Sequence, residues 1–170
     1  MKYDKIIFLD DDNTCRSLMA EAIFKSMFEE ENLNCEILSR GLVVLFEEPF
    51  NQKVEIILYN HGMKTSQDAS VAFDIAEVTG ATLILTMTFR EKLRLIEEYG
   101  LENNVYTLKE YIGNDDELLD PYGEEIDVYE ACYQDMHEAI KLVKERIIKE
   151  NNEGTQIPEI INVNETEDLK

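Results

Sequence analysis

Basic residues are scarce in this sequence. Of its 170 residues, 16 are Lys or Arg and 37 are Asp or Glu, so the formal net charge is −21 with neutral histidines. Nucleic-acid binding through phosphate contacts needs clustered Lys and Arg, and an anionic membrane surface attracts the same residues. The charge balance therefore argues against both nucleic acids and membranes as partners.

Long apolar runs and cysteine pairs are also missing. No apolar run approaches the roughly 20 residues of a membrane-spanning helix. The first apolar run ends at three aspartates and is too short for a secretory signal. The three cysteines, Cys15, Cys35 and Cys132, are far apart and odd in number, which favours a reducing compartment over a disulfide framework. We therefore expect a cytoplasmic protein.

The sequence nevertheless holds enough apolar residues, 44% of the chain, for one domain with a single core. We expect this domain over residues 1–150. After Glu150 the apolar periodicity ends and acidic residues outnumber basic ones. Residues 151–170 are therefore predicted to form a flexible acidic tail.

Short apolar segments alternate with helical patterns along the domain. Continuous apolarity is typical of strands buried on both faces, and it predicts strands at 5–9, 35–39, 82–86 and 105–108. Helical spacing predicts helices from residue 16, over 52–60 and 89–99, at 109–112 and over 126–150. In the last of these, Asp127 and Glu130 resemble a capping box. The order predicts an α/β fold, a four-stranded parallel sheet with helices on both faces.

The loop after the first predicted strand concentrates polar and charged residues. In order, they are Asp10, Asp11, Asp12, Asn13, Thr14, Cys15, Arg16 and Ser17. A loop between a parallel strand and a helix lies where such sheets bind ligands, and its N–H groups and helix dipole favour an anion such as phosphate. Arg16 adds a planar group suited to two-pronged phosphate contact. We therefore expect these residues to form a phosphate-binding site.

Several short segments are similar to motifs of one known family and occur in the same order along the chain. They are 13–17 (NTCRS), 19–22 (MAEA), 39–42 (SRGL), 61–62 (HG), 83–88 (LILTMT), 105–111 (VYTLKEY) and 120–123 (DPYG). Over residues 5 to 148 this arrangement resembles the low-molecular-weight protein tyrosine phosphatases. The TCRS run with Thr14 is similar to the bacterial protein-arginine phosphatase branch of that family.

The resemblance implies a reaction and assigns residues to it. In that family a loop thiolate attacks phosphorus, loop N–H groups and an Arg hold the phosphoryl oxygens, and an Asp protonates the leaving group. By position in the motifs, Arg16 corresponds to the phosphate clamp, and Asn13 and Ser17 correspond to the loop scaffold. Asp120 corresponds to the general acid, and Tyr122 corresponds to the rim of the site.

This sequence departs from the family's motif within the loop itself. The nucleophilic cysteine falls on Asp10, the loop glycine falls on Asp12, and Leu18 replaces a proline. A carboxylate is a weaker nucleophile than a thiolate, and two extra anions oppose phosphate binding. Asp12 also places a Cβ where glycine allows unusual backbone angles, which predicts a reshaped loop. We expect little thiol-dependent phosphatase activity and a binding or regulatory role toward a phosphoprotein or another protein.

Asp10 has other interpretations. It can pair with Arg16 in a salt bridge that locks an empty loop. It can be the nucleophile of an active phosphatase with a divalent cation such as Mg²⁺, for which Asp10, Asp12 and Asp120 are the candidate ligands. Residues 6–14 also fit the hhhhDxDxT signature of haloacid-dehalogenase-like phosphatases. An engineered Asp10 is a further interpretation, which the second substitution at Asp12 disfavours. Beyond such a cation, the sequence predicts no cofactor.

Overall fold

The computed structural model describes residues 1–29, 31 and 34–153. Its strands are β1 (Lys5–Asp10), β2 (Glu36–Gly41), β3 (Thr82–Thr86) and β4 (Val105–Thr107). Its helices are α1 (Arg16–Phe28), α2 (Gln52–Asn60), α3 (Phe89–Tyr99), α4 (Leu108–Tyr111) and α5 (Ile126–Glu153), with a short 3-10 helix at Ile75–Glu77. Within the described residues, none of these helices has both the length and the apolarity to cross a membrane.

The four strands form one parallel sheet in the order β2-β1-β3-β4, which confirms the predicted architecture. The chain leaves β1 toward β2 on one side and later returns to β3 on the other side. The loop after β1 therefore opens at the point where the winding of the sheet reverses. Parallel sheets of this kind bind their ligands at that point, beyond the carboxyl ends of the strands.

Alternate side chains of β1 enter two apolar clusters on opposite faces of the sheet. Ile6 and Phe8 pack in a cluster with side chains of α1, α2, α4 and α5. Ile7 and Leu9 pack in a second cluster with Leu95 of α3. Burial on both faces explains why the strand is continuously apolar rather than alternating, and it places helices on both sides of the sheet.

The predicted capping box at the start of α5 is wrong. The helix begins at Ile126, so Asp127 lies within the first turn instead of preceding it. The first helical N–H groups bond to the carbonyl of Glu125. The carboxylate of Glu130 pairs with the ring of His61 at 2.7 Å instead of reaching back to the helix start.

Helix α5 also extends beyond the predicted domain end at Glu150, because it continues to Glu153. The remainder of the predicted acidic tail, residues 154–170, lies outside the described residues.

Gly41 lets the loop that follows β1 fold over the end of β2. It is paired with Asp10 in the sheet. A Cβ at this position would lie 2.8 Å from the carbonyl carbon of Asp12, 3.0 Å from the nitrogen of Asn13 and 2.7 Å from Cγ2 of Val44. Two of these neighbours are backbone atoms, which cannot move without displacing the loop. The position therefore requires a residue without a side chain.

We predict that Gly41→Ala lowers the free energy of unfolding by about 1–3 kcal/mol, because the added methyl group overpacks against backbone. Urea denaturation followed by circular dichroism measures this change. Gly80→Ala is the matched control, since a Cβ at Gly80 meets no atom within 4 Å. Equal unfolding free energies for the two variants would contradict the account of Gly41.

Candidate active site

The loop between β1 and α1 turns through a left-handed residue, Asn13, with φ of 58°. Asparagine tolerates this conformation better than most residues. The buried Asn13 side chain donates to Oγ of Ser17 at 2.9 Å and accepts from Nε2 of Gln67 at 2.6 Å and from the N–H of Val71 at 2.9 Å. The two predicted scaffold residues are thus hydrogen-bonded to each other. The left-handed position is Asn13 and not Asp12, so a glycine-like backbone at Asp12 is not needed here.

The Asp10 carboxylate fills the concave side of this loop. Its side chain is buried, with the residue 3% exposed. Oδ1 accepts the N–H of Asn13 at 2.7 Å, and Oδ2 accepts the N–H of Ser17, in the first turn of α1, at 2.9 Å. Backbone N–H groups at a helix N-terminus form an anion site, and hydrogen bonds to an ionised acceptor are the stronger kind. Asp10 therefore supplies the anion that this backbone favours.

Asp12 satisfies a further N–H group of the loop. Its Oδ1 accepts both the N–H of Thr14 at 3.1 Å and the Thr14 hydroxyl at 3.0 Å. This is the local turn that an aspartate side chain forms with the backbone two residues later. Together, the carboxylates of Asp10 and Asp12 bond to the N–H groups of Asn13, Thr14 and Ser17.

The predicted salt bridge between Asp10 and Arg16 is wrong. Within the described residues, the ion pairs of Arg16 are with Glu91 and Asp120 instead, at Nη2 distances of 3.9 Å and 3.7 Å. Nη1 of Arg16 donates to the carbonyl of Leu118 at 3.0 Å. The physical reason is that backbone N–H groups already satisfy Asp10, so the guanidinium turns toward the segment that carries Asp120.

Glu91, on α3, is a site residue that sequence reasoning missed. It is 0% exposed. Its Oε2 accepts the N–H of Thr88 at 2.7 Å in a capping box, while its Oε1 has no hydrogen-bond partner and faces Arg16. The Thr-x-x-Glu pattern at 88–91 could have located the helix start, but not the approach of Glu91 to Arg16, which depends on how α3 packs against the sheet.

Burial raises the pKa of both buried carboxyl groups in this site, those of Asp10 and Glu91. It raises the pKa of Asp10 to about 6, an effect that the Asn13 and Ser17 hydrogen bonds oppose and the charge of Asp12 reinforces. Burial likewise raises the pKa of Glu91 to about 7, although the Thr88 hydrogen bond and the Arg16 charge lower it. Burial therefore outweighs hydrogen bonding at both groups.

The loop and the segment before α5 enclose a cavity of about 190 Å³. Its lining residues are Asp10, Asp11, Asp12, Thr14, Cys15, Arg16, Asp120 and Tyr122. The predicted site residues thus line one cavity, apart from Asn13 and Ser17, which are fully buried in the loop. Asp120, whose side chain is 58% exposed, accepts the N–H of Tyr122 at 3.1 Å.

Comparison with known proteins identifies the family of the chain. The low molecular weight phosphotyrosine protein phosphatase family matches residues 5–153. The chain belongs to this family. It is 35% identical, over 82% of its length and 96% of the relative's, to a low molecular weight protein-tyrosine-phosphatase, PtpB, of Staphylococcus epidermidis. It is 33% identical, over 85% of its length and 97% of the relative's, to a protein-arginine-phosphatase of Bacillus subtilis.

Solved structures show the same fold. A structure of the YwlE arginine phosphatase, a Cys-to-Ser mutant with a phosphorylated active-site serine, matches with a TM-score of 0.80 at 30% identity, covering 87% of this chain and 98% of that one. A mutant of YwlE from Bacillus subtilis matches with a TM-score of 0.79 at 30% identity, covering 85% and 98%.

In this family member, the candidate metal ligands do not converge. Across the described ranges, no group of three His, Cys, Asp or Glu side chains is placed to hold a metal ion. Both Asp10 oxygens point at backbone N–H groups. Oδ1 of Asp11 lies 3.7 Å from Nη1 of Arg94, on α3, so this carboxylate faces a guanidinium.

Cys15 is the thiol in the cavity wall, and its chemistry is that of a protonated group. It is buried and unpaired, as is Cys132. Burial is the main reason that the pKa of Cys15 lies far above its ordinary value; Cys132 and Asp10 raise it further, and Arg16 lowers it in part. The nucleophilic form of cysteine is the thiolate, so Cys15 is unsuited to attack phosphorus.

The raised pKa of Asp10 predicts a pH-dependent stability. A folded-state pKa of about 6, above the ordinary value of 3.8, means that the folded state binds this proton more tightly than the unfolded state. The contribution of this proton binding at Asp10 to the free energy of unfolding is fully present below about pH 4 and is lost as the pH rises to about 6. We predict that the unfolding free energy of the wild type, measured relative to Asp10→Asn, falls by on the order of 2–3 kcal/mol over this window.

Urea titrations at a series of pH values measure this difference. Glu91→Gln is the companion variant, because the pKa of Glu91 of about 7 moves the corresponding loss toward neutral pH, between its ordinary 4.5 and about 7. A difference for Asp10→Asn that instead increases with pH would show that the two N–H bonds outweigh burial.

Proposed function

We propose that this family member is a protein-binding module with little or no phosphatase turnover, whose phosphate loop is occupied by its own Asp10. The observation that carries the proposal is the pair of hydrogen bonds from Asn13 and Ser17 to the Asp10 carboxylate. In the related YwlE structure, the phosphate is carried by a serine that replaces a cysteine of the active site. We place Asp10 at the corresponding position, on the strength of the NTCRS run that follows it.

The built-in carboxylates oppose phosphate binding by charge. Two like unit charges about 4 Å apart repel by roughly 4 kcal/mol at an effective dielectric constant of about 20. A phosphate group entering the loop would meet both Asp10 and Asp12, and it would have to displace them from the N–H groups of Asn13, Thr14 and Ser17. Both effects favour an empty cavity over a phosphate complex.

Arg16 supports the same proposal, because its guanidinium has other partners. It donates to Leu118 and lies near Glu91 and Asp120. In this arrangement it holds the segment before α5 against α1 instead of clamping phosphoryl oxygens. Asp120 is thereby kept at the cavity mouth.

The names of the relatives support a protein as the ligand. They are called protein-tyrosine-phosphatase and protein-arginine-phosphatase, so the enzymes act on proteins. A chain that keeps their fold and cavity but lacks the thiol nucleophile is suited to bind a protein without converting it. The three free cysteines fit a role in the cytoplasm.

We predict that the wild-type protein, in excess EDTA, does not hydrolyse p-nitrophenyl phosphate or phosphoarginine above background. Asp10→Cys combined with Asp12→Gly should give reductant-dependent turnover at least about 100-fold above the wild type, because it supplies a thiolate and removes the competing carboxylates. Asp10→Ser with Asp12→Gly is the matched control, since it clears the same loop without providing a thiol.

Wild-type turnover in EDTA within about tenfold of the Bacillus subtilis relative would refute the proposal. Turnover that needs Mg²⁺ and is abolished by Asp10→Asn would refute it as well, in favour of Asp10 as a nucleophile assisted by a divalent cation.

A further inference from the structure

The cavity is negative, although its backbone is built to receive an anion. Four carboxylates line it, those of Asp10, Asp11, Asp12 and Asp120, beside the single guanidinium of Arg16. Arg16 is also shared with Glu91, at 3.9 Å, and Arg94 on α3 faces Asp11 at 3.7 Å, so two guanidiniums stand against the four carboxylates. The net charge offered to a ligand is therefore negative.

Three chain segments in or next to the cavity lining lack basic residues. Residues 10–15 and 41–52 contain no Lys or Arg, and neither does 113–131. The last segment alone carries Asp115, Asp116, Glu117, Asp120, Glu124, Glu125, Asp127 and Glu130. These acidic residues extend the negative electrostatic field beyond the cavity. The field attracts cations and repels anionic ligands.

Exposed apolar side chains occur in the segment that follows β2. Leu45 and Phe46 are 86% and 69% exposed. Their segment is bonded to the loop at both ends, through Leu42 N–H to the Asp10 carbonyl at 2.9 Å and Asn51 N–H to the Thr14 carbonyl at 3.1 Å. The segment therefore runs along the loop.

Two further exposed side chains occur in the segment that carries Asp120. Leu119 is 80% exposed and Tyr122 is 75% exposed, and they flank Asp120, which lines the cavity. We call Leu45, Phe46, Leu119 and Tyr122 the apolar rim. Clustered exposed apolar residues with polar surroundings mark protein-binding surfaces.

We propose that the cavity and the apolar rim dock a basic protein segment, which inserts an unphosphorylated arginine side chain between the loop and Asp120. Charge complementarity selects the cation, and apolar neighbours of the arginine contact the rim. A cavity of about 190 Å³ has room for a guanidinium, whose planar set of donors suits a carboxylate such as that of Asp120. The inference rests on the proposed function, because a loop that bound phosphate would prefer the phosphorylated side chain.

The test uses the 170-residue chain and two blocked tripeptides, acetyl-Leu-Arg-Phe-amide and the same peptide with neutral citrulline in place of arginine. ¹H–¹⁵N correlation spectra follow the backbone amides of Thr14, Phe46 and Tyr122 during titration at low salt. We expect the arginine peptide to shift these signals with a Kd of about 1 mM or tighter, and the citrulline peptide to bind at least about tenfold more weakly.

Two variants distinguish the contribution of the cavity to peptide binding from that of the apolar rim. Asp120→Asn should weaken the binding of the arginine peptide at least about threefold and leave the binding of the citrulline peptide unchanged. Phe46→Ser should weaken the binding of both peptides. Glu145→Gln, which removes the same charge from an exposed position on α5, controls for net charge and should change neither.

If the protein lacks turnover, equal affinities for the two peptides would overturn the docking inference but not the proposed function. The absence of a shift of the three amides at about 10 mM peptide would have the same consequence. Phosphotyrosine binding to the same amides more tightly than the arginine peptide would overturn both the docking inference and the proposed function.

Discussion

The hydrogen bonds from Asn13 and Ser17 to Asp10 determine what the rest of the site can do. They place an anion where the backbone N–H groups and the start of α1 favour one. Because Asp10 is satisfied in this way, Arg16 turns to Leu118 and Asp120. The segment before α5 is thereby fixed, and the cavity between it and the loop becomes negative.

The fold makes this arrangement possible through the position of β1. The strand lies inside the sheet, with both faces buried, so its end at Asp10 is held rigidly at the switch point between β2 and β3. Gly41 at the end of β2 leaves the space through which the loop passes. Burial also has a cost, since it raises the pKa of Asp10 to about 6 and that of Glu91 to about 7.

The sequence predicts much of the fold because its signals are local. The strand Thr82–Thr86 and the helix Phe89–Tyr99 agree with the predicted bounds, since a continuous apolar run and helical spacing are patterns within each segment. The start of α5 at Ile126 also agrees with the predicted bound, whereas the capping box predicted there is wrong because Asp127 resembles a cap residue but lies inside the helix.

The contacts of the site were harder to predict because they depend on direction and on tertiary packing. Opposite charges at Asp10 and Arg16 suggest a pair, yet backbone N–H groups compete for the carboxylate and Leu118 competes for the guanidinium. Glu91 reaches Arg16 only through the packing of α3. The residues that line the cavity could be identified from the sequence, whereas their partners could not.

If Asp10 itself fills the anion site of the loop, removing its side chain should free that site for phosphate, which calorimetric titration with inorganic phosphate measures. The comparison is between Asp12→Gly and the same variant with Asp10→Ala added, so that Asp10 is the single difference. The account predicts no binding by Asp12→Gly at millimolar phosphate and a Kd of about 1 mM or tighter once Asp10 is removed. Equal phosphate affinity in the two variants would contradict it.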